Sequence, residues 1–342
     1  KVCGILLELG GGMDIADLLA FSVKHGASDL HLSAGVVPML RVDGQMQRCD
    51  LPVLAPQTVR ELIYSVMTDP QRIAFEAAHD ADFSYALPGT GRFRVNAFEQ
   101  QRGAGAVFRS IAAQVPSLAG LGLGEVFKGL CSVPQGLVLV TGATGSGKST
   151  TLAAMVDHIN STRRQHILTL EDPIEFLHES RQCLISQREV HRDTRSMAAA
   201  LRAALREDPD VIMLGEMRDL ETIRLALTAA ETGHLVLATL HTASAAKTVD
   251  RIIDVFPADE KAMVRTMLSE SLQGVVAQTL VKRVGGGRVA AHEIMLATPA
   301  IRHLIRENKV SQMVSAIQTG GAVGMQTLEV SLKQLKEKGL ID

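Results

Sequence analysis

The chain has 342 residues with 35 basic and 37 acidic side chains, and its formal net charge of −2 excludes a strong overall basic field that would recruit nucleic acid or an anionic membrane. Hydrophobic residues make up 46% but aromatic residues only 3%, so the core must be aliphatic. The four cysteines form no C-x-x-C pair, which disfavours a zinc ribbon or a disulfide framework, and no apolar run reaches the ~18–20 residues of a membrane-spanning helix.

At ~100–200 residues per domain, the length predicts two domains. The first twelve residues, KVCGILLELGGG, differ from the amphipathic segment that begins at Met13. We therefore expect residues 1–12 to be a non-native or unstructured leader. A short secretory signal is the alternative, although only Lys1 supplies the positive charge that such a signal needs.

The pattern over residues 13–110 predicts a small α+β domain, because short helices flank alternating strands. Helices are predicted at 14–25, 56–67 and 70–78. Strands are predicted at 29–33, 39–42, 82–85, 91–100 and 104–110. Pro and Gly residues then indicate a linker over 111–120.

The segment 121–342 changes to an alternation of strands and helices. Apolar strands are predicted at 137–141, 167–170, 211–214 and 235–239, and a helix at 148–160. Continuously apolar strands favour a parallel sheet that helices cover on both faces. Asp219 is expected to cap a helix through residue 231, and Thr298-Pro299 to open one that extends to about residue 308.

The sequence GATGSGKS (142–149) matches the phosphate-binding pattern G-x-x-x-x-G-K-[ST] in full, between a predicted strand and a predicted helix. Its glycines let backbone N–H groups turn toward phosphate oxygens. Lys148 is predicted to contact the β- and γ-phosphates of ATP, and Ser149 to ligate Mg²⁺. The predicted nucleotide contacts are Gly142, Thr144, Gly145, Ser146, Gly147, Lys148, Ser149 and Thr150. A glycine-rich turn without a ligand is the alternative.

Carboxylates follow two of the predicted strands. Gly215 stands where a strand-end Asp is usual, so Glu216 is the predicted catalytic base that orients or deprotonates the attacking water. The acidic segment 171–175 contains three carboxylates, Glu171, Asp172 and Glu175, that could complete the shell of Mg²⁺ and water at a strand end. Of these, Glu175 is predicted to act in catalysis and to help hold Mg²⁺. A solvated strand-end acid and simple turn formation around Pro173 are the respective alternatives.

Two histidines bracket the strand at 235–240. His241, at its carboxyl end, is predicted to sense the γ-phosphate as a catalytic residue, and His234 is a candidate nucleotide contact. A structural role is the alternative for each. The first domain contributes Arg92, Arg94, Arg102 and Arg109 around its predicted strands. One of these arginines could neutralise charge on the γ-phosphate, often from a neighbouring subunit, whereas composition alone favours ordinary surface arginines.

Together these segments resemble the type II/IV secretion ATPase superfamily from about residue 13 to the end of the chain. The resemblance to the Walker A, Asp box, atypical Walker B and His box motifs lies in GATGSGKST (142–150), LTLEDPIEF (168–176), IMLGEMRD (212–219) and TGHLVLATLHT (232–242). GASDLHL (26–32) and RFRVNAF (92–98) resemble signatures of the first domain. Ala143 replaces the usual Pro of the family, a change that we expect to be harmless.

One segment narrows the resemblance within the superfamily. AIRHLIREN (300–308) resembles the C-terminal motif of the members that retract type IV pili. Members that assemble pili or drive type II secretion usually carry a paired C-x-x-C zinc motif, which this sequence lacks. The resemblance therefore implies pilus retraction.

The resemblance also implies an architecture and partners. It implies a PAS-like first domain, a RecA-like ATPase domain with a mainly parallel sheet and C-terminal helices, and a homo-hexameric ring that uses ATP and Mg²⁺. It implies a cytoplasmic location at the inner face of the cytoplasmic membrane, through an inner-membrane platform protein that transmits motion to the pilin filament base. It carries Arg94 and Arg109 over as nucleotide contacts.

Three other functions are alternatives at this point. An assembly or secretion motor would use the same chemistry. A ring-shaped nucleic-acid motor is conceivable because fold alone does not decide function, but the near-neutral charge disfavours a nucleic-acid partner. A binding protein without turnover is disfavoured by the intact set of Lys148, Ser149 and Glu216.

Overall fold

The structure is a computed structural model that describes residues 14–42, 44–111 and 114–342. The predicted leader, residues 1–12, lies outside the described residues. The chain divides into two compact units between Gln114 and Val115, a point that lies within the segment predicted as the linker.

The first unit is an α+β unit with a sheet and helices in its described part. Its strands are β1 (Asp29–Ser33), β2 (Met39–Val42), β3 (Gln45–Arg48), β4 (Asp80–Leu87), β5 (Gly91–Gln100) and β6 (Gly103–Ile111). Its helices are α1 (Ile15–Lys24), α2 (Pro56–Tyr64) and α3 (Asp69–Ala78). The strands form an antiparallel sheet in the order β3-β2-β1-β6-β5-β4. Leu30, Phe93 and Phe108 belong to the unit's own apolar core.

The second unit contains the longer alternation of strands and helices. Its strands are β7 (Gly136–Thr141), β8 (His166–Glu171), β9 (Leu184–Glu189), β10 (Val211–Leu214), β11 (Leu235–Leu240), β12 (Leu272–Lys282) and β13 (Arg288–Leu296). Its α-helices are α4 (Glu125–Ser132), α5 (Lys148–Thr162), α6 (Met197–Ala204), α7 (Leu220–Glu231), α8 (Ala245–Asp254), α9 (Lys261–Ser271), α10 (Pro299–Arg306), α11 (Met313–Thr319) and α12 (Leu328–Glu337). Two 3₁₀ turns, Val310–Gln312 and Gly321–Val323, flank α11.

The sheet of the second unit runs in the order β13-β12-β7-β11-β10-β8-β9. All neighbouring strands are parallel except β12 and β13. Strand β7 shows why its sequence is apolar throughout: Leu137 and Leu139 lie in one core cluster, and Val138 and Val140 lie in another. The sheet thus buries both faces, as parallel sheets do, and the predicted α/β fold class is confirmed.

Helix ends follow local capping chemistry. The side chain of Asp219 accepts a hydrogen bond from the N–H of Thr222 and opens α7, as predicted. Thr298 caps α10 ahead of Pro299, but this helix ends at Arg306, two residues before the predicted end. Within the described ranges, no helix is both long and apolar enough to cross a membrane.

Candidate active site

The carboxyl ends of four adjacent strands form one edge of the parallel sheet. Strands β7, β11, β10 and β8 lie side by side in that order. The phosphate-binding sequence follows β7, His241 follows β11, Glu216 lies two residues beyond β10, and Glu175 follows β8. Because parallel strands end at the same edge, segments that are far apart in sequence come together where ligands bind in open α/β sheets.

The phosphate-binding loop (142–147) turns directly into α5, which begins at Lys148. The Lys148 ammonium group is buried and donates hydrogen bonds to the carbonyl oxygens of Gly142 (3.0 Å) and Ala143 (3.1 Å). Burial lowers the pKa of Lys148, and the charges of Glu216 and Glu175 act in the opposite direction. These three predicted residues are therefore close enough to interact electrostatically.

Strand β12 explains two of the loop glycines. Gly142 has φ +145° and Gly147 has φ +87°, values that side chains rarely adopt. A Cβ at Gly142 would collide with the carbonyl oxygen of Gln278, and a Cβ at Gly147 would lie 2.8 Å from the Gln278 side-chain nitrogen. Only glycine lets the loop pass this close to β12.

Two hydroxyl groups at the loop indicate that the residues fit a phosphate ligand. The side-chain oxygens of Thr141 and Ser146 are buried and have no hydrogen-bond partner in the part of the chain that the structure describes. An unpaired buried hydroxyl costs about 1–3 kcal/mol. Phosphate oxygens could accept from such groups, while the N-terminus of the 15-residue helix α5 and Lys148 supply favourable positive potential.

Glu216 has two partners at the sheet edge. Its Oε2 accepts a hydrogen bond from Nε of Arg218 at 2.8 Å, and its Oε1 lies 3.1 Å from Nε2 of His241. Thr239 donates a hydrogen bond to the carbonyl oxygen of Gly215 at 2.5 Å, which fixes the preceding residue. The structure thus brings His241 to Glu216, as a partner of the predicted base.

The acidic segment after β8 separates into a buried and an exposed part. Glu171 is buried, and this burial raises its pKa to about 7, although hydrogen bonds from Thr169 and Gln187 act in the opposite direction. Its Oε2 also accepts a hydrogen bond from the N–H of Glu175 at 3.3 Å. Glu175 is exposed and is available to a ligand, while Glu171 holds its backbone.

His234 lies elsewhere. It precedes β11, and its carbonyl oxygen accepts a hydrogen bond from the N–H of Gly136 at the start of β7. His234 therefore lies at the amino ends of these strands, whereas the loop follows the carboxyl end of β7. Its Nδ1 lies 3.0 Å from the carbonyl oxygen of Ala229. The structure does not bring His234 to the phosphate-binding loop of its own unit.

Arg94 and Arg109 are cross-strand neighbours on β5 and β6 of the first unit. Like charges in this position destabilise a sheet. Asp29 on β1 compensates, because its Oδ1 accepts a hydrogen bond from Nε of Arg109 at 2.8 Å. Burial raises the pKa of Asp29, but the hydrogen bonds from Ser28 and Arg109 outweigh it and leave the pKa lowered. The GASDLHL motif thus supplies a carboxylate that orients Arg109.

Arg218, Gln278, Thr151 and His292 lie at the site but are not among the residues that the sequence predicts for it. Arg218 lies within the segment IMLGEMRD (212–219), close to the predicted base, and that position was a usable signal. Gln278, Thr151 and His292 had only the weak signal of polar side chains at positions that the structure shows to be buried. Within the described residues, His292 belongs to no group of three or more side chains that could hold a metal ion, and its Nε2 lies 3.2 Å from Oε1 of Gln278.

We expect the stability of the protein to fall in acid partly because of His292. Burial lowers the pKa of His292 from 6.5 to about 4, so the folded state binds fewer protons than the unfolded state between those values. The free energy of unfolding therefore decreases as the pH falls through this window, by on the order of 2 kcal/mol at pH 5 for one such group. Thermal unfolding of the parent and His292→Gln between pH 7 and pH 5 checks this. The variant should lose less stability over the same interval, and parallel curves would contradict the prediction.

The fold and the site define a P-loop nucleoside triphosphatase, and comparisons with known proteins place it more narrowly. The family model described as "Type II/IV secretion system protein" matches residues 13–286. The chain belongs to this family, and it is an ATPase.

Two relatives and one solved structure indicate where the chain lies within the family. It is 69% identical to the type IV pilus retraction ATPase PilT of Pseudomonas aeruginosa. The alignment extends over 329 residues and covers 96% of each chain. It is 59% identical over 305 residues to a twitching motility protein of Neisseria gonorrhoeae, over 89% of this chain and 82% of the other. The crystal structure of the pilus retraction motor PilT with bound ADP matches with a TM-score of 0.90 and 48% identity, over 97% and 95% of the two chains.

Proposed function

We propose that this chain is the ATP-hydrolysing motor subunit that powers type IV pilus retraction, and thereby pilin disassembly and twitching motility. The observation that carries the chemistry is the phosphate-binding loop with its buried Lys148 ammonium group, followed along the same end of the parallel sheet by Glu216 with its partners Arg218 and His241. The relatives that share most of this chain's length carry the biological role, since one is named a retraction ATPase and the other a twitching motility protein.

Backbone groups and side chains have different roles in ATP hydrolysis. The backbone N–H groups from Gly142 to Thr150 hold the phosphates of ATP, and Lys148 exchanges its bonds to the loop carbonyls for the β- and γ-phosphates. Glu216 accepts the proton of the attacking water, and His241 and Arg218 hold its carboxylate in place. We leave His234 outside this set.

Ser149 and Glu175 would hold Mg²⁺ at this site. When bound, the ion would neutralise phosphate charge and polarise the phosphoryl group. Mg²⁺ usually takes only one or two protein ligands together with substrate phosphates and water, which fits a hydroxyl at the start of α5 and one exposed carboxylate.

The motor is proposed to be a homo-hexamer of subunits that each contain a first domain (13–110), a linker (111–120) and an ATPase domain (121–342). Arg94 and Arg109 contribute positive charge to the γ-phosphate, in the same or a neighbouring subunit. The ring works in the cytoplasm at the inner face of the membrane, where a platform protein receives the motion. No nucleic acid takes part.

The decisive experiment uses a piliated bacterium that lacks its own retraction ATPase. Expression of this chain should restore twitching and the shortening of labelled pili, and Lys148→Met, produced at the same level, should restore neither. Restored piliation in a strain that lacks its assembly ATPase, without restored retraction, would favour the assembly alternative. Salt-sensitive DNA binding with DNA-stimulated hydrolysis would instead favour the nucleic-acid motor.

A further inference from the structure

The side chain of Gln278 on β12 contacts the phosphate-binding loop. The residue is 3% exposed, and its Nε2 donates a hydrogen bond to the carbonyl oxygen of Ser146 at 2.6 Å. Its Oε1 accepts from Oγ1 of Thr151 at 2.7 Å. One amide therefore ties the loop to the helix that follows it.

The orientation of this amide is fixed by what its partners can do. A carbonyl oxygen only accepts, so the nitrogen of Gln278 must face Ser146. The amide oxygen then faces Thr151 and His292. Nε2 of His292 lies 3.2 Å from this oxygen. Because an amide oxygen only accepts, the two groups form a hydrogen bond in the tautomer of His292 that carries its proton on Nε2.

A second link anchors this arrangement outside the loop. The N–H of His292 on β13 donates to Oγ of Ser331 on α12 at 3.0 Å, and the His292 ring meets Phe127 edge to face, with centroids 5.3 Å apart. The Gln278 bridge, formed by Ser146, Thr151, Gln278 and His292, therefore connects the loop to the C-terminal helix through buried hydrogen bonds.

The Gln278 bridge affects the phosphate-binding loop through the planar peptide group between Ser146 and Gly147. The carbonyl oxygen of Ser146 and the N–H of Gly147 belong to one trans peptide group, so they point in opposite directions. When Gln278 holds this carbonyl toward β12, the N–H of Gly147 points away from β12. In this orientation, the N–H of Gly147 can donate a hydrogen bond to an oxygen of a bound phosphate.

We propose that Gln278 is a positioning residue for phosphate binding: it fixes the Ser146–Gly147 peptide so that the Gly147 N–H is aimed at the phosphates of the nucleotide. The inference rests on the proposed nucleotide site and adds a residue that touches no ligand. It predicts that loss of the Gln278 amide weakens binding of the phosphates themselves, whether or not an adenosine is attached.

The test is calorimetric titration of the full chain with ADP and with inorganic pyrophosphate. Gln278→Leu should weaken the binding of both about tenfold, the effect of one lost hydrogen bond. The matched control is Gln326→Leu, because the Gln326 side chain donates to the carbonyl oxygen of the same His292 at 3.1 Å and, in the part of the chain that the structure describes, does not bond to the loop. This variant should bind both ligands like the parent.

Gln278→Glu supplies a readout that a merely structural role would not change. A protonated carboxyl can donate to the Ser146 carbonyl and a carboxylate cannot, so ADP affinity relative to the parent should rise as the pH falls from about 8.5 to about 6. The proposal is overturned by parental affinity in Gln278→Leu, by an equal loss in Gln326→Leu, or, where Gln278→Leu does not fold, by a Gln278→Glu profile parallel to the parent's. Failure of the parent itself to bind ADP would instead overturn the proposed function, and this inference with it.

Discussion

Glu216→Gln is expected to lower kcat for ATP hydrolysis by about 10²–10⁴-fold, the usual contribution of a general base. The amide keeps the size of the side chain and can still accept from Arg218 through its oxygen. It cannot take a proton from water. The variant should therefore bind ATP with parental affinity but release phosphate very slowly, which a phosphate-release assay and a nucleotide-binding titration would measure together.

Glu221→Gln is the matched control for this change. Glu221 lies five residues further along the chain, in the first turn of α7, and pairs with Arg202 at the surface. This variant should hydrolyse ATP at the parental rate. If Glu216→Gln also hydrolyses ATP at the parental rate, Glu216 is not the base, and the carboxylates after β8 would become the candidates.

Arg109→Gln is expected to lower kcat by about 10³–10⁵-fold, the range over which an arginine finger acts on the charge of the γ-phosphate. The structure gives this arginine a fixed orientation, because the buried Asp29 accepts a hydrogen bond from its Nε at 2.8 Å. The rest of the guanidinium group lies on an exposed side chain, where it can donate to a phosphate in a bidentate manner.

Arg41→Gln is the control for this second prediction. Arg41 lies 3.8 Å from the same Asp29 carboxylate, so its loss also weakens the charge balance around Asp29. Turnover should remain near the parental rate, because Arg41 has no proposed contact with nucleotide. Equal losses in Arg41→Gln and Arg109→Gln would show that the stability of the first unit, rather than a phosphate contact, limits activity.

Mixing two inactive variants tests whether the arginine acts between subunits. Arg109→Gln keeps an intact phosphate-binding loop, and Lys148→Met keeps an intact arginine. If Arg109 serves a neighbouring site, rings assembled from both variants contain some sites with both groups and regain part of the activity. If it serves its own subunit, no mixture should exceed the sum of the two variants.

Several structural features were accessible from sequence because their parts are contiguous. Strand β7, the phosphate-binding loop and α5 follow one another within residues 136–162. Each has a local signal in the sequence: the strand is apolar, the loop is rich in glycine, and the helix has a helical pattern. The same holds for the Asp219 cap of α7 and the Thr298 cap of α10, in which one side chain bonds to a backbone group three residues away. Strand-end carboxylates could be proposed because parallel strands must end together.

Other elements lacked such a signal. Strand β3 (Gln45–Arg48) carries no apolar alternation and is mostly exposed. Strands β12 and β13 hold an antiparallel pair at one end of a parallel sheet, a placement that depends on contacts with β7. Helix α2 ends at Tyr64, three residues before its predicted end, because Val66 and Met67 turn back toward carbonyl groups of the last turn.

The sequence by itself determined which residues carry charge and phosphate-binding chemistry, since those signals lie within short stretches of chain. Only the tertiary structure decided which of them meet. Ser146 and Gln278 are 132 positions apart, and their contact exists because β12 pairs with β7. In the same way, the order β7-β11-β10 brings His241 to Glu216 and leaves His234 at the far edge. Strand order depends on how whole helices and strands pack against both faces of the sheet, so the periodicity of one segment does not predict it.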